Sequence, residues 1–489
     1  MLFNSLEFAI FFPIVFIIYW IVSSDKRLRN LLLLVASYFF YGWWDWRFLF
    51  LIILSSAVDF IIGQRIFRSE NKKSRKAYLL LSLLVNLGLL AYFKYADFFI
   101  ETFVDSFRLF GKELQIKPLQ IILPVGISFY TFQTLSYTID IYRQKIKPTR
   151  NILQFFTFVS FFPQLVAGPI ERASHLLPQF DKTYKFSYQM VKGGFLLIAF
   201  GLFKKMVIAD RVSILVNEVY NNPTGYFGYE LVIATIFFAF QIYCDFSGYS
   251  DIAIGVARTM GFDLMKNFDS PYFSKSLTEF WRRWHISLST WFRDYLYIPL
   301  GGSRKGKYRT YSNLFIVFVV SGLWHGAALT FIIWGAIHGV ILIVEKATQS
   351  ERKKVFGRLG LERNNFSNKL FFGLVTFSIV CFSWIFFRAN SMLDALTIVK
   401  NLFASNYYQI FNGGLYSMGL SKMEFIFSIL MIITLVAMES LNGSKKLFGA
   451  LSRQSTVLRW SFYVGIIVFI AIFGVYGDAS NKEFIYFQF

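Results

Sequence analysis

The sequence predicts an all-α protein that crosses a membrane many times. Hydrophobic residues make up 55% of the 489 residues and charged residues only 16%, which is too little charge to cover the surface of a soluble domain. Lys and Arg number 50 against 29 Asp and Glu, and the basic residues collect in short loops between apolar segments. Such loops face the cytoplasm and anionic headgroups. Because no folded polar module is present to bind nucleic acid, the predicted partner is the lipid bilayer and not nucleic acid.

The first third of the chain alternates apolar segments with basic loops. Segment 6–22 has no basic stretch before it and no small-residue cleavage site after it, so we interpret it as a retained span and not as a signal peptide. Basic loops at 25–29, 65–76 and 145–150 predict cytoplasmic ends for the spans that they join. Those spans are predicted at 31–42, 48–63, 77–99 and 119–142.

The middle of the chain is less regular. Pro163 and the Gly168-Pro169 pair predict a broken or re-entrant segment at 152–167. Spans at 193–208 and 229–246 follow. From 275 to 297, apolar and aromatic residues recur at three- and four-residue steps, which predicts an amphipathic helix at the cytoplasmic boundary. These residues are Phe280, Trp284, Leu288, Trp291 and Tyr295.

The run 310–344 contains no charged residue. One straight helix of 35 residues would measure about 52 Å against roughly 30 Å of hydrocarbon, and two full spans would need about 40 residues. The run therefore predicts a short hairpin broken at Gly322 and Gly326, with His325 in the break. Basic residues flank both ends, so both ends should face the cytoplasm, with His325 about 22 Å into the bilayer.

The remaining spans, at 370–387, 425–441 and 460–476, are separated by a lightly charged outer loop at 389–422 and a basic inner loop at 445–459. Alternation of these loops places the tail 478–489, and hence the C-terminus, outside. In total we predict ten to thirteen membrane segments in a single domain, 1–489.

Four histidines are the candidates for chemistry. An ionisable side chain as deep as His325 suggests function by default, although a neutral, hydrogen-bonded core histidine is the alternative. His285 could orient a substrate or cap a polar boundary, the sequence favours a packed core role for His338, and His175, after a Gly-Pro turn, is interpreted as structural or interfacial. No spacing among the four is typical of a zinc site. A neutral intramembrane histidine could take a proton from a hydroxyl group that attacks an activated acyl group; it could also serve as the proton relay of a transporter or flippase.

Six motifs, which are specific in combination, run through most of the chain. It resembles the membrane-bound O-acyltransferase family, and within it the bacterial branch that acetylates alginate and related cell-surface polysaccharides. The motifs are 124–133 (PVGISFYTFQ), 167–172 (AGPIER), 245–251 (DFSGYSD), 280–289 (FWRRWHISLS), 321–326 (SGLWHG) and 334–339 (WGAIHG).

The resemblance implies a fold and a site. The fold is a bundle of about ten to thirteen membrane helices, with broken or re-entrant segments around a central tunnel, in the bacterial inner membrane. His325 matches the catalytic base of the family and His285 its second hallmark polar residue. The tunnel is expected to involve Trp324, Trp284, Arg282, Asp245 and Asp251. The aromatic tail is similar to the C-terminal motif of acyl-export systems, in which Tyr486 would relay the acyl group.

The resemblance also implies substrates and partners. The expected acyl donor is acetyl-CoA or an acyl carrier, presented from the cytoplasm, with no bound cofactor and no metal. The expected partner is a periplasmic or extracellular acetyltransferase that modifies a glycan such as alginate. Two alternatives are D-alanyl transfer to teichoic acid and, from a different class, a proton-coupled transporter or flippase.

Overall fold

The computed structural model describes residues 1–361, 365–404, 414–440, 449 and 453–476, and the regular elements in this part of the chain are helices. The helices of the first half are α1 (Leu6–Val22), α2 (Lys26–Asp45), α3 (Leu49–Arg68), α4 (Lys72–Leu90), α5 (Ala96–Leu109), α6 (Ile127–Tyr142), α7 (Ile152–Ser160), α8 (Phe162–Leu165), α9 (Ala173–Leu176), α10 (Tyr188–Leu202), α11 (Asp210–Asn221) and α12 (Tyr229–Thr259). Those of the second half are α13 (Leu277–Arg283), α14 (Ile286–Phe292), α15 (Lys307–His325), α16 (Leu329–Ala347), α17 (Gln349–Arg358), α18 (Phe366–Arg388), α19 (Met392–Asn401), α20 (Lys422–Ser440) and α21 (Thr456–Phe473). Short π-helical turns join α4 to α5 and α10 to α11.

Seven helical stretches of the described chain are long and apolar enough to cross a membrane, which confirms the all-α, multi-pass fold class. They are Lys26–Arg68, Lys72–Arg108, Tyr229–Thr259, Leu329–Ala347, Phe366–Arg388, Lys422–Ser440 and Thr456–Phe473. The apolar helix α1 is shorter, at 17 residues. The predicted total of ten to thirteen also includes such short and broken segments.

The chain packs as two compact units. The first comprises residues 1–198 and 249–265, and its helices α3, α4 and α6 meet around the fully buried Asp59. This carboxylate accepts hydrogen bonds from Ser82, Asn86 and Thr138. Three donors from two neighbouring helices compensate the cost of burying one carboxylate, so the cluster fastens these helices together.

A second polar cluster of this unit holds the loop after α8. His175 Nδ1 lies 2.8 Å from Glu171 Oε2, and His175 Nε2 lies 3.4 Å from Asp263 Oδ2. The hydrogen bond to Glu171, together with the negative charge of both carboxylates, raises the pKa of His175 above its usual value. These contacts are consistent with the structural alternative of the two roles predicted for His175. The predicted break near Pro163 is present, because α7 ends at Ser160 and α8 begins at Phe162.

The second unit comprises residues 199–248 and the described residues from 266 onward. It contains the predicted hairpin, formed by α15 and α16. The break lies at residues 326–328, so Gly326 is in it as predicted, but Gly322 lies inside α15 and His325 is the last residue of that helix. The two helices cross backbone to backbone at two glycines. A Cβ atom on Gly322 would lie 2.2 Å from the Phe331 carbonyl oxygen, and one on Gly335 would lie 2.2 Å from that of Phe318. Glycine is therefore required at both positions.

Three sequence expectations about helix limits were wrong. The span predicted at 119–142 is helical only from Ile127, which follows Gly126 at a φ of 76°. The predicted amphipathic helix 275–297 is interrupted at His285, where φ is 43°, because hydrogen bonds from elsewhere in the chain hold a left-handed residue there. The predicted outer loop 389–422 contains α19, whose Ala395 and Ile398 are buried.

Candidate active site

The two histidines singled out from the sequence lie side by side. His285 occupies the turn between α13 and α14, and His325 is the last residue of α15. Their ring centroids are 6.4 Å apart, and the two residues are 0% and 4% exposed. Forty residues of sequence separate them, so their proximity is a product of the fold of the second unit.

Asn267 sets the orientation of the His285 ring. The Asn267 side-chain oxygen accepts hydrogen bonds from the Ser287 backbone N–H at 3.2 Å and from the Ser287 hydroxyl at 2.9 Å. A backbone N–H only donates, so the atom facing it is the amide oxygen. The same oxygen lies 3.1 Å from His285 Nδ1, which must therefore carry the proton. In the neutral ring, Nε2 is then the atom that accepts.

Aromatic side chains surround His325. The ring centroids of Trp324, Trp334 and Phe387 lie 5.0, 5.2 and 5.4 Å from that of His325. Trp324 is also 6.0 Å from His285. The His325 ring therefore lies in a buried, largely aromatic environment.

The remaining predicted tunnel residues of this unit lie at different distances from the pair. Trp284 is 1% exposed and packs at 5.2 Å against Trp384, whose ring stacks on Trp334. Asp245 forms a buried ion pair with Lys205 at 2.7 Å. The residue after it, Phe246, contacts the His285 ring at 4.6 Å. The tunnel role of Asp245 stays a prediction.

Arg282 lines a cavity of about 1360 Å³ between α13, α14 and the α15–α16 hairpin. Five lining side chains are basic and one, Glu345, is acidic, so the cavity attracts anions. Ser321, one helical turn before His325, and Ile286, the residue after His285, also line it. The basic lining residues are Arg282, Arg293, Lys346, Arg352 and Lys353.

The roles predicted for two further residues are not tested by the described structure. Asp251 belongs to the first unit, and its tunnel role stays a prediction. Tyr486 and the tail lie outside the described residues, so the predicted acyl relay also stays a prediction. In the part of the chain that the structure describes, no group of three or more His, Cys, Asp and Glu side chains could hold a metal ion.

Sequence reasoning missed several residues of the site. Asn267 lies in a loop with no recognisable pattern, and only its contacts with His285 and Ser287 reveal its importance. Phe387 belongs to an ordinary apolar span. Trp281 and Trp334 fall within recognised motifs, which could have flagged them as neighbours of the histidines.

The arrangement suits acyl transfer. Two buried imidazoles stand 6.4 Å apart, and the cavity that attracts anions is lined by Ile286, next to His285, and by Ser321, one helical turn before His325. A neutral imidazole can remove the proton of an attacking hydroxyl group and later return it to the leaving group. Exclusion of water would protect a thioester from hydrolysis.

Comparison with known proteins agrees with this geometry. Residues 143–387 match the membrane-bound O-acyltransferase family. The chain is 41% identical to a probable alginate O-acetylase of Pseudomonas syringae pv. tomato, over 84% of this chain and 76% of that protein. It is 35% identical to a peptidoglycan O-acetyltransferase of Helicobacter pylori, over 83% and 80% of the two chains. A teichoic acid D-alanyltransferase of Bacillus subtilis is 30% identical over 56% of this chain and 70% of its own length. The chain therefore belongs to the membrane-bound O-acyltransferase family and is an O-acyltransferase.

Proposed function

We propose that the protein transfers an acetyl group from cytoplasmic acetyl-CoA to a hydroxyl group, for O-acetylation of a cell-surface or exported polysaccharide such as alginate. The observation that carries this proposal is the pair of buried imidazoles, 6.4 Å apart, beside a cavity rich in basic side chains. The pair supplies proton transfer, and the cavity suits an anionic thioester.

His325 is the general base of the proposed reaction. It takes the proton of the acceptor hydroxyl while that oxygen attacks the thioester carbonyl carbon and forms the new C–O bond. The tetrahedral intermediate then breaks its C–S bond, and the imidazolium returns the proton to the departing thiolate of CoA. His285, held by Asn267 with Nε2 as the acceptor, orients the hydroxyl hydrogen toward this exchange.

The cavity is the proposed donor site. Lys346, Arg352 and Lys353 lie at or beyond the end of α16 distant from His325, about 25 Å along the helix from Leu329. Their charges suit the phosphate groups of CoA. Trp281, Phe318 and other apolar lining residues suit the pantetheine arm, which would bring the thioester toward the two histidines.

The names of the relatives support a polysaccharide acceptor. An alginate O-acetylase and a peptidoglycan O-acetyltransferase both act, by name, on glycans. D-alanyl transfer is less well supported, because that relative matches 56% of this chain at 30% identity. The basic loops support an inner-membrane orientation with the donor site facing the cytoplasm. A periplasmic or extracellular acetyltransferase would then complete delivery to the glycan.

The histidine assignment is tested by His325→Gln in the native host. Loss of a general base typically lowers a rate by about 10²- to 10⁴-fold, so surface O-acetylation should be lost while the protein remains inserted and folded. His175→Gln, which alters a histidine of the polar cluster in the first unit, is the matched control and should keep acetylation. Acetylation that persists in His325→Gln would refute the assignment.

The proposed relay by Tyr486 rests on the resemblance of the C-terminal tail. Tyr486→Phe removes only the phenol oxygen, so surface acetylation should fall sharply while CoA binding is unchanged. Tyr476→Phe, ten residues earlier, is the matched control and should acetylate normally. Normal acetylation by Tyr486→Phe would leave the tail as a membrane anchor and remove the relay.

A further inference from the structure

We infer that His338 is a positioning residue, because it connects a tryptophan in the wall of the proposed donor cavity with a tryptophan that packs against His325. Its ring holds Trp281, which lines the cavity, and packs against Trp334, which packs against His325. This inference rests on the proposed function, because it assigns Trp281 to the binding of acetyl-CoA.

The hydrogen bonds of His338 fix its tautomer. The indole N–H of Trp281 donates to His338 Nδ1 at 3.3 Å. An indole N–H has no acceptor capacity, so Nδ1 must be unprotonated. The proton is therefore on Nε2, which donates to the Ser383 hydroxyl at 2.9 Å, and that hydroxyl donates to the Val380 carbonyl at 2.7 Å. A protonated ring would lose the bond from Trp281, so this geometry requires neutral His338.

The His338 ring contacts both of these tryptophan side chains. Its centroid lies 5.2 Å from that of Trp281 and 5.0 Å from that of Trp334. Trp334 lies 5.2 Å from His325 on its other side. The two indoles are also 5.8 Å from each other. One fully buried imidazole thus contacts Trp281, which lines the proposed donor cavity, and Trp334, which packs against His325.

Such a placement has a kinetic consequence. Small displacements of groups that position a substrate or a base lower reaction rates even when these groups take no part in bond making. If His338 served packing alone, its replacement would change the amount of folded protein and leave the kinetics of each folded molecule unaltered. The two possibilities therefore differ in KM and kcat, measured per folded molecule.

Two conservative variants separate the two hydrogen bonds. Asn places its amide oxygen near the position of Nδ1, so His338→Asn can still accept from Trp281. Gln places its amide nitrogen near the position of Nε2, so His338→Gln can still donate to Ser383 but leaves the indole without its acceptor. An unmatched buried donor costs about a factor of ten or more in an equilibrium.

The experiment measures acetyl transfer from radiolabelled acetyl-CoA, and the Kd of CoA, on purified folded protein. We expect His338→Gln to raise KM for acetyl-CoA and Kd for CoA about tenfold, and His338→Asn to restore both to within a few fold of wild type. In a Trp281→Phe background, which has no indole N–H, His338→Gln should raise them no further. Thr376→Ala, which removes another buried hydroxyl from α18, is the control for packing and should leave both constants unchanged.

The outcomes separate this inference from the proposed function. The inference alone would be overturned if the wild-type protein transfers acetyl groups while KM, kcat and Kd are the same in His338→Gln as in His338→Asn. Wild-type protein that neither transfers the label nor binds CoA would overturn both.

Discussion

At the scale of single residues, the site depends on a histidine in an unfavourable backbone conformation. His285 has φ 43° and ψ 55°, in the left-handed region, which costs an ordinary side chain roughly 1–2 kcal/mol. Hydrogen bonds to the backbone and to the side chain of Asn267 compensate this cost. Its backbone carbonyl accepts from Ile286 N–H at 2.9 Å, and its side chain accepts from Ser287. Backbone strain of this kind is typical of functional sites.

Asn267→Ala should lower the acetyl-transfer rate without unfolding the protein. The variant removes the acceptor that keeps the proton on His285 Nδ1, so the ring can rotate or adopt the other tautomer. We expect kcat to fall about ten- to a hundredfold, the range for losing one strong hydrogen bond at a reacting group. The measurement is steady-state transfer from radiolabelled acetyl-CoA.

The control for this variant is Asn313→Ala. Asn313 is equally buried, and its side chain donates to the Gly302 carbonyl at 2.9 Å. Its loss should reduce stability and leave kcat per folded molecule unchanged. Equal kcat values for wild type and Asn267→Ala would show that the tautomer of His285 has no part in the reaction.

The sequence could predict one of these two histidine positions and not the other. His325 falls in an uncharged run whose length does not suit one span or two, so a break at that point follows from bilayer thickness. His285 falls within a stretch with regular helical periodicity. The hydrogen bonds that interrupt this helix are made with Asn267, 18 residues earlier. The local periodicity of residues 275–297 does not indicate them.

At the scale of elements, the α15–α16 hairpin places His325 and Trp334 through close backbone contact. Gly322 and Gly335 allow this contact, because any side chain at either position would overlap a carbonyl oxygen of the opposite helix. The same hairpin contributes Phe318 and Ser321 to the cavity wall. Its crossing therefore sets the distance between the proposed donor cavity and His325.

Gly335→Ala should separate the two helices and impair both stability and activity. Overpacking of this kind typically costs about 1–3 kcal/mol, so the melting temperature in detergent should fall and acetyl transfer should drop more than about tenfold. Gly373→Ala in α18 is the matched control, since its Cβ would meet no atom within 4 Å. That variant should be neutral or slightly more stable. Equal melting temperatures and activities for the two variants would contradict the role given to this crossing.

Elements were predictable where composition alone determines them. Long apolar stretches such as α18 and α20 were recognised from hydropathy, and the broken segment after α7 was recognised from its prolines and glycines. The predicted span 119–142 begins with a mostly apolar stretch, yet this stretch contains Pro124 and becomes helical only after Gly126. Hydropathy reports burial in lipid or protein and does not distinguish a helix from an extended apolar segment.

At the scale of the whole molecule, five of the six sequence motifs divide between two tasks, and the sixth, 245–251, has residues in both units. The motifs that contain His285, His325 and His338 lie in the second unit and build the proposed active site. The motifs 124–133 and 167–172 lie in the first unit, where they form buried polar packing. Gln133, for example, donates to the Phe158 carbonyl at 2.7 Å, and Glu171 pairs with His175. Family motifs in this chain therefore mark demanding structural positions as well as chemical ones.

The central claim is that two buried histidines of one membrane unit catalyse acetyl transfer from CoA. The most direct measurement reconstitutes the purified protein in lipid vesicles, adds radiolabelled acetyl-CoA, and follows label transferred to protein or to an added glycan acceptor, for wild type and His325→Gln. We predict transfer by wild type, at least a hundredfold slower transfer by His325→Gln, and the same Kd for CoA in both. Equal rates of transfer in the two proteins would contradict the account.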